Sequence, residues 1–192
     1  MTGANPSRAE RGVNLQDLVE EFYRDPIGHH QLGLFHQRKS VPAPYDDLLD
    51  HHAHMTVTVE AHAKEAVDVK VHSSHRSEKW YSREITLVTQ RSRQVVQYGI
   101  VRLDVEKLAP AVWTQIESQE IPLGRVLINH NVLREVELCG LWEVAAGPSL
   151  LEKMDQTPET TLFGRTALIH CDGEPAIELL EIVNRCEADH PL

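Results

Sequence analysis

An α+β domain, with a single mainly antiparallel sheet of about six strands and helices inserted and packed over it, is predicted by three features of this sequence. From residue 55 to 104, and again beyond 132, apolar residues recur at every second position, the period of a half-buried strand. Short, turn-rich links join these runs, which favours antiparallel neighbours, because parallel strands need crossovers of about a dozen residues. Other segments carry apolar residues three and four apart, the period of a helix.

In chain order, Asn14 is a candidate N-cap, and Leu15, Leu18, Val19 and Phe22 follow at helical spacing. A helix is therefore expected over about 14–24, closed near Asp25-Pro26. The stretch 28–44, interrupted by Gly and Pro and holding several His, reads as a loop. A short helix, acidic in its first turn, is expected at 45–52. MTVTVEA (55–61) then alternates as a strand, and after a break at 62–65 so do AVDVKVHSS (66–74), KWYSREITLVTQ (79–90) and QVVQYGIVRLD (94–104). A helical segment interrupted by Pro110 covers 105–119. The punctuated run IPLGRVLINHN (121–131) precedes a strand, VLREVELCGLWEVA (132–145), and a short helix near 148–154. Two strands, TLFGRTALIHCDG (161–173) and PAIELLEIV (175–183), close the fold, joined at an Asp-Gly turn that suits positive φ. The layout is one domain over 13–192 preceded by a tail, 1–12.

Composition narrows the function classes. A hydrophobic fraction of 41% and a charged fraction of 25% are ordinary for a soluble globular chain. No apolar run approaches the roughly 20 residues of a membrane helix, and the polar opening MTGANPSRAERG lacks the apolar centre of a secretory signal. The net charge of −10 argues against nucleic acid and anionic membranes as partners, but not against an anionic small molecule met by a few focused arginines. Cys139, Cys171 and Cys186 form an odd set without close spacing, so neither a disulfide framework nor a zinc site is expected, and a cytoplasmic location is the default.

Four segments, in order, resemble the bacterial chorismate lyases and the wider chorismate lyase-like family: LLDHHAHMT (48–56), WYSREITL (80–87), PLGR (122–125) and FGRTALIHCDGEPAIELLEIV (163–183). None is specific alone; their order and spacing carry the likeness. The resemblance implies a cofactor-independent lyase that removes pyruvate from chorismate to leave 4-hydroxybenzoate, feeding quinone or other aromatic biosynthesis. It implies a monomer whose partners are the anionic substrate and the aromatic carboxylate product. An alternative on the same fold is a binding protein that takes an aromatic carboxylate without turnover. A regulator with an N-terminal winged helix is not expected, because the segment before residue 45 is short for one.

Arg83 is the first candidate for the ring carboxylate. A guanidinium offers a planar two-donor fork and stays charged when buried; the same side chain could instead point outward and pair with an acid. The resemblance places Met55 and Leu123 at main-chain contacts to the ligand, with Gly124 beside them where a close backbone approach leaves no room for Cβ. Arg165 is a weaker candidate for the enolpyruvyl carboxylate, and Arg125 weaker still. Glu181 is the candidate for the substrate's 4-hydroxyl. Counted from Gly173-x-Pro175, however, the family's glutamate falls at Leu180. Either a β-bulge returns Glu181 to the pocket, or Glu178 takes the role, or the pocket has no acid and the protein binds without catalysing. His51, His52 and His54, with His29 and His30 nearby, lack a familiar zinc spacing and read as loop or ligand-adjacent residues, so no metal is expected. His170 and the cysteines read as packing residues.

Overall fold

The computed structural model describes residues 12–24, 30–158 and 160–184. Most of the expected tail, the helix end at Asp25-Pro26, His29 and Cys186 lie outside them. The helices are α1 (Leu15–Glu20), α2 (Tyr45–Leu49), α3 (Met55–Ala63), α4 (Pro110–Glu117), α5 (Leu123–Asn129) and α6 (Pro148–Met154). The strands are β1 (Gly33–Arg38), β2 (Val67–Arg76), β3 (Trp80–Thr89), β4 (Val95–Asp104), β5 (Arg134–Ala146), β6 (Thr161–Cys171) and β7 (Glu174–Val183). They form one sheet in the order β1-β5-β6-β7-β4-β3-β2, antiparallel at every pairing. This is the α+β architecture the alternating runs predict, with seven strands.

Because strand side chains alternate, each central strand feeds two cores. On the front face, Tyr81, Val101, Leu103, Ala167, Ile169, Ile177 and Leu179 meet Val112 and Ile116 of α4 and Leu123, Val126 and Leu127 of α5. Beside them, Ile85, Leu87, Phe163 and Val183 meet α2 and α3 through Tyr45, Leu48, Leu49, Met55 and Val59. On the back face, Tyr98, Ile100, Val144, Leu162, Leu180 and Ile182 pack under Leu18 and Val19 of α1 and Leu150 and Met154 of α6. Both faces are thus covered. At about 1.5–3 kcal/mol for each fully buried large aliphatic side chain, these clusters are the main driving force of folding.

Asn14 caps α1 as predicted, its side chain accepting from the Gln16 N–H at 3.0 Å. Two expectations are corrected, and one run without an assigned element gains a helix. MTVTVEA is helical, not extended: Met55, Thr56 and Val59 are buried at helical spacing, while Val57 lies exposed. The alternation of Thr and Val mimicked a strand, and packing of α3 on the front face overrode it. The supposed loop 28–44 contains β1, an edge strand whose mostly exposed positions left little periodic signal. The run 121–131 holds α5, which Pro122 opens from its N-cap position. Among the described residues no helix is long and apolar enough to cross a membrane.

Candidate functional site

The front face between α3, α5 and the sheet encloses a cavity of about 40 Å³, room for a few water molecules or a small anionic group. Its floor follows from the strand register. One cross-strand row is Ala167–Leu179–Val101–Arg83, the next is Arg165–Glu181–Gly99–Ile85, and the third is Phe163–Val183–Gln97–Leu87. The lining includes Arg83, Arg165, Glu181, Met55, Leu123 and Gly124, so these six candidates come together at one place, while Arg125 and Glu178 do not line it. His54, Thr56, Gln97 and Pro122 join them, among apolar side chains.

Arg83 stands in a strand buried on both faces and is itself 1% exposed. Its Nε and Nη1 have no hydrogen-bond partner. Burial pulls its pKa down from the usual arginine value, and the nearby Tyr81 hydroxyl acts in the opposite sense. Guanidinium pKa values lie so high that the group keeps its charge. A buried cation with idle donors is costly, and such groups are otherwise paired in folded proteins.

Glu181 lines the cavity because of a bulge. Along β6–β7, His170 pairs with Pro175 while Ile169 pairs with Ile177, leaving Ala176 as an extra residue in β7. Ala176 and Ile177 consequently both join the front core, and the alternation that follows puts Leu179 and Glu181 on that face. Glu178 faces the back, where its carboxylate takes the Nε and Nη2 of Arg102. Arg102 in turn donates to Glu21 beyond α1, at 3.2 Å.

Arg165, directly opposite Glu181, is fully buried and heavily engaged. Its Nε donates to Glu181 Oε2 at 2.7 Å, its Nη1 to the His51 carbonyl at 2.8 Å, and its Nη2 to the Ala53 carbonyl at 3.1 Å. It therefore clamps the α2–α3 loop onto the sheet. The geometry leaves it poorly disposed to grip a second carboxylate.

The loop histidines serve the same anchoring. The His51 Nδ1 accepts from the Ala53 N–H at 3.1 Å, which makes Nε2 the protonated nitrogen that donates to the Leu48 carbonyl at 2.8 Å. His52 Nδ1 bonds the Val136 carbonyl at 2.9 Å. His54 accepts from Arg134 Nε, and burial, reinforced by Arg134 and Arg165, pushes its pKa down to about 4. Neutral His54 and the matched Arg165–Glu181 pair leave the ionisable lining with one uncompensated positive charge, on Arg83. Among the described residues, no group of three or more His, Cys, Asp or Glu is placed to hold a metal.

Met55 and Leu123 are the first residues of α3 and α5, so both helices begin at the cavity, where their opening N–H groups lack intrahelical acceptors. Gly124 has a reason within the fold to be glycine: a Cβ there would come within 2.8 Å of Thr56 Oγ1. It lets α5 close on α3. Arg125 ion-pairs with Glu60 of α3, which ties the two helices together.

Gln97 and Arg134 were not read as site residues in the sequence, and His54 was read only as a loop or ligand-adjacent residue. Gln97 had a signal: a glutamine midway along an otherwise apolar strand, QVVQYGIVRLD. It is 4% exposed, and its Oε1 has no partner. Arg134 had no signal, because its contact to His54 spans 80 residues of sequence.

No family model and no curated protein matches this sequence. Solved structures show a partial likeness. PhnF from Mycobacterium smegmatis aligns over 69% of this chain and 64% of its own, at 9% identity and a TM-score of 0.48. A GntR-family transcriptional regulator from Bacillus cereus aligns over 66% and 96%, at 8% identity and 0.45. The C-terminal domain of the histidine utilization repressor from Pseudomonas syringae pv. tomato str. DC3000 aligns over 66% and 99%, at 11% identity and 0.43. This chain thus spans less than two thirds of PhnF.

The expectation of a carbon–oxygen lyase is corrected at this point. The similar structures bear the names of regulators and a repressor domain, not of enzymes. The geometry gives a physical reason as well. Glu181, cast as the group that pushes electron density into a bound ring, has its charge matched inside the fold by Arg165.

Proposed function

We propose that this protein binds a small anionic molecule, of the kind of an aromatic carboxylate, in the front-face cavity without transforming it, the cavity of about 40 Å³ widening to admit the ring. The observation that carries this reading is Arg83: a buried guanidinium with unpartnered Nε and Nη1, aimed into an enclosed and mostly apolar space. An apolar cavity strengthens a charge-assisted hydrogen bond, and a carboxylate fits the two-donor fork. The opening turn of α3 begins beside the same cavity. The apolar lining, with Ile85, Leu87, Val101 and Leu179, suits a ring or short hydrocarbon body attached to the anion. The cavity calls for a small anion in general rather than for chorismate in particular.

Titration calorimetry with benzoate and 4-hydroxybenzoate, on wild type and Arg83→Met, tests this. Binding by wild type, its loss in the variant, and recovery of the ligand unchanged after prolonged incubation are expected. Equal binding by Arg83→Met would sink the reading, as would conversion of the ligand.

A further inference from the structure

Arg83 does not exhaust the unmet demand of this cavity. Gln97 enters the lining from the floor row on the far side of the Arg165–Glu181 row, four residues along β4 from Val101, which lies opposite Arg83. Its Oε1 is buried without a hydrogen-bond partner. A buried amide oxygen left unpaired is destabilising, and such an atom in a native fold is met by something the chain itself does not supply. An oxygen accepts and cannot donate, so its complement is a donor. The two orphan sites therefore ask for different things: Arg83 wants an acceptor with negative charge, and Gln97 wants an O–H or N–H. Other polar groups of the lining do not make the same demand, since Arg165 and Glu181 answer each other and His54 answers Arg134.

We infer that Gln97 is the specificity-determining residue of the site, and that the ligand is an anion which also carries a hydroxyl or amino donor away from its charged group. This rests on the anion-binding reading above and adds the second half of the ligand's chemistry. A site built to pair a buried acceptor discriminates strongly against analogues lacking the donor, because they leave that acceptor unpaired.

The experiment is a calorimetric series of four probes: benzoate, 4-hydroxybenzoate, 4-aminobenzoate and 4-methoxybenzoate. The last has an oxygen in the same place but no donor. Wild type should bind the hydroxy and amino compounds roughly tenfold tighter than the other two. Gln97→Met and Gln97→Leu should bind all four alike, with melting temperatures no lower than wild type because an unsatisfied oxygen has been removed. Equal binding of the four probes by wild type, or a donor preference that survives in both variants, would overturn the inference and leave the anion site standing. Failure of every probe to bind would overturn the anion site itself, and this inference with it.

Discussion

Arg83 and Glu84 are neighbours on β3, both buried, yet Glu84 is paired with charge while Arg83 keeps Nε and Nη1 without partners. Strand alternation sends them to opposite faces. On the back, Glu84 Oε1 accepts from Tyr23 at 2.6 Å and Tyr98 at 2.7 Å, with Lys153 Nζ at 3.4 Å. On the front, Arg83 faces the cavity with two idle nitrogens. The fold satisfies one charge within itself and leaves two nitrogens of the other without a hydrogen-bond partner.

That contrast predicts a trade between stability and binding at Arg83. Replacing an unpaired buried charge by an apolar side chain of similar length removes a desolvation penalty. Arg83→Met should raise the unfolding free energy of the ligand-free protein by about 1–3 kcal/mol while abolishing anion binding. Urea denaturation with and without benzoate measures both. A clear loss of ligand-free stability would mean that the guanidinium is paired in solution.

Arg165 should behave in the opposite way. Arg165→Met leaves the Glu181 carboxylate buried without its partner and frees the loop carbonyls of His51 and Ala53. Breaking such a pair costs about 3–5 kcal/mol. Adding Glu181→Leu should restore part of this, since the orphaned charge is gone while the loop stays unclamped. Denaturation of the two single variants and the double variant gives the coupling between them.

Gly124→Ala should be destabilising by about 1–3 kcal/mol, through its clash with Thr56 across the α3–α5 contact. Thr56→Ala in the same chain removes the hydroxyl at 2.8 Å but keeps Cβ at 3.3 Å, so it should relieve the clash only partly. A double-mutant cycle on melting temperature reads the relief as a coupling energy. Additive effects would place the strain elsewhere.

His54 makes the fold acid-sensitive. Its pKa is held at about 4 in the folded chain against 6.5 as the ordinary value. Between these values the unfolded chain binds the extra proton and the folded chain does not, so stability falls as pH drops from 6.5 toward 4 and this contribution levels off below. Burial lowers the pKa of His51 in the same loop, adding to the trend. Allowing for partial exposure of His54, its share is on the order of 1–2 kcal/mol. His54→Gln should flatten the stability–pH curve over that window; an unchanged slope would mean that His54 protonates freely in the folded state.

Much of the site was legible before the fold was known, for definite reasons. Arg83 and Gln97 break apolar strands with polar side chains, a local irregularity that a single sequence displays. The Glu181 question was legible only as a question. Its offset from Gly173-x-Pro175 required a bulge, and the structure has one at Ala176, where β6 and β7 exchange register. The α3 segment misled because period-two Thr/Val alternation and a helix with a narrow buried stripe produce the same letters over seven residues.

By itself, the sequence determined the strand-rich plan, the antiparallel pairing, the Asn14 cap and the positions of the unusual polar residues, because periodicity, turn chemistry and capping act between residues a few positions apart. Tertiary structure alone decided that MTVTVEA coils into a helix, that both faces of the sheet are covered, that Arg165 answers Glu181, and that Arg83 Nε and Nη1 and Gln97 Oε1 are left without partners. Those outcomes turn on which side chains meet across tens of residues of chain, and a buried charge shows itself as satisfied or waiting only when everything packed around it is in place.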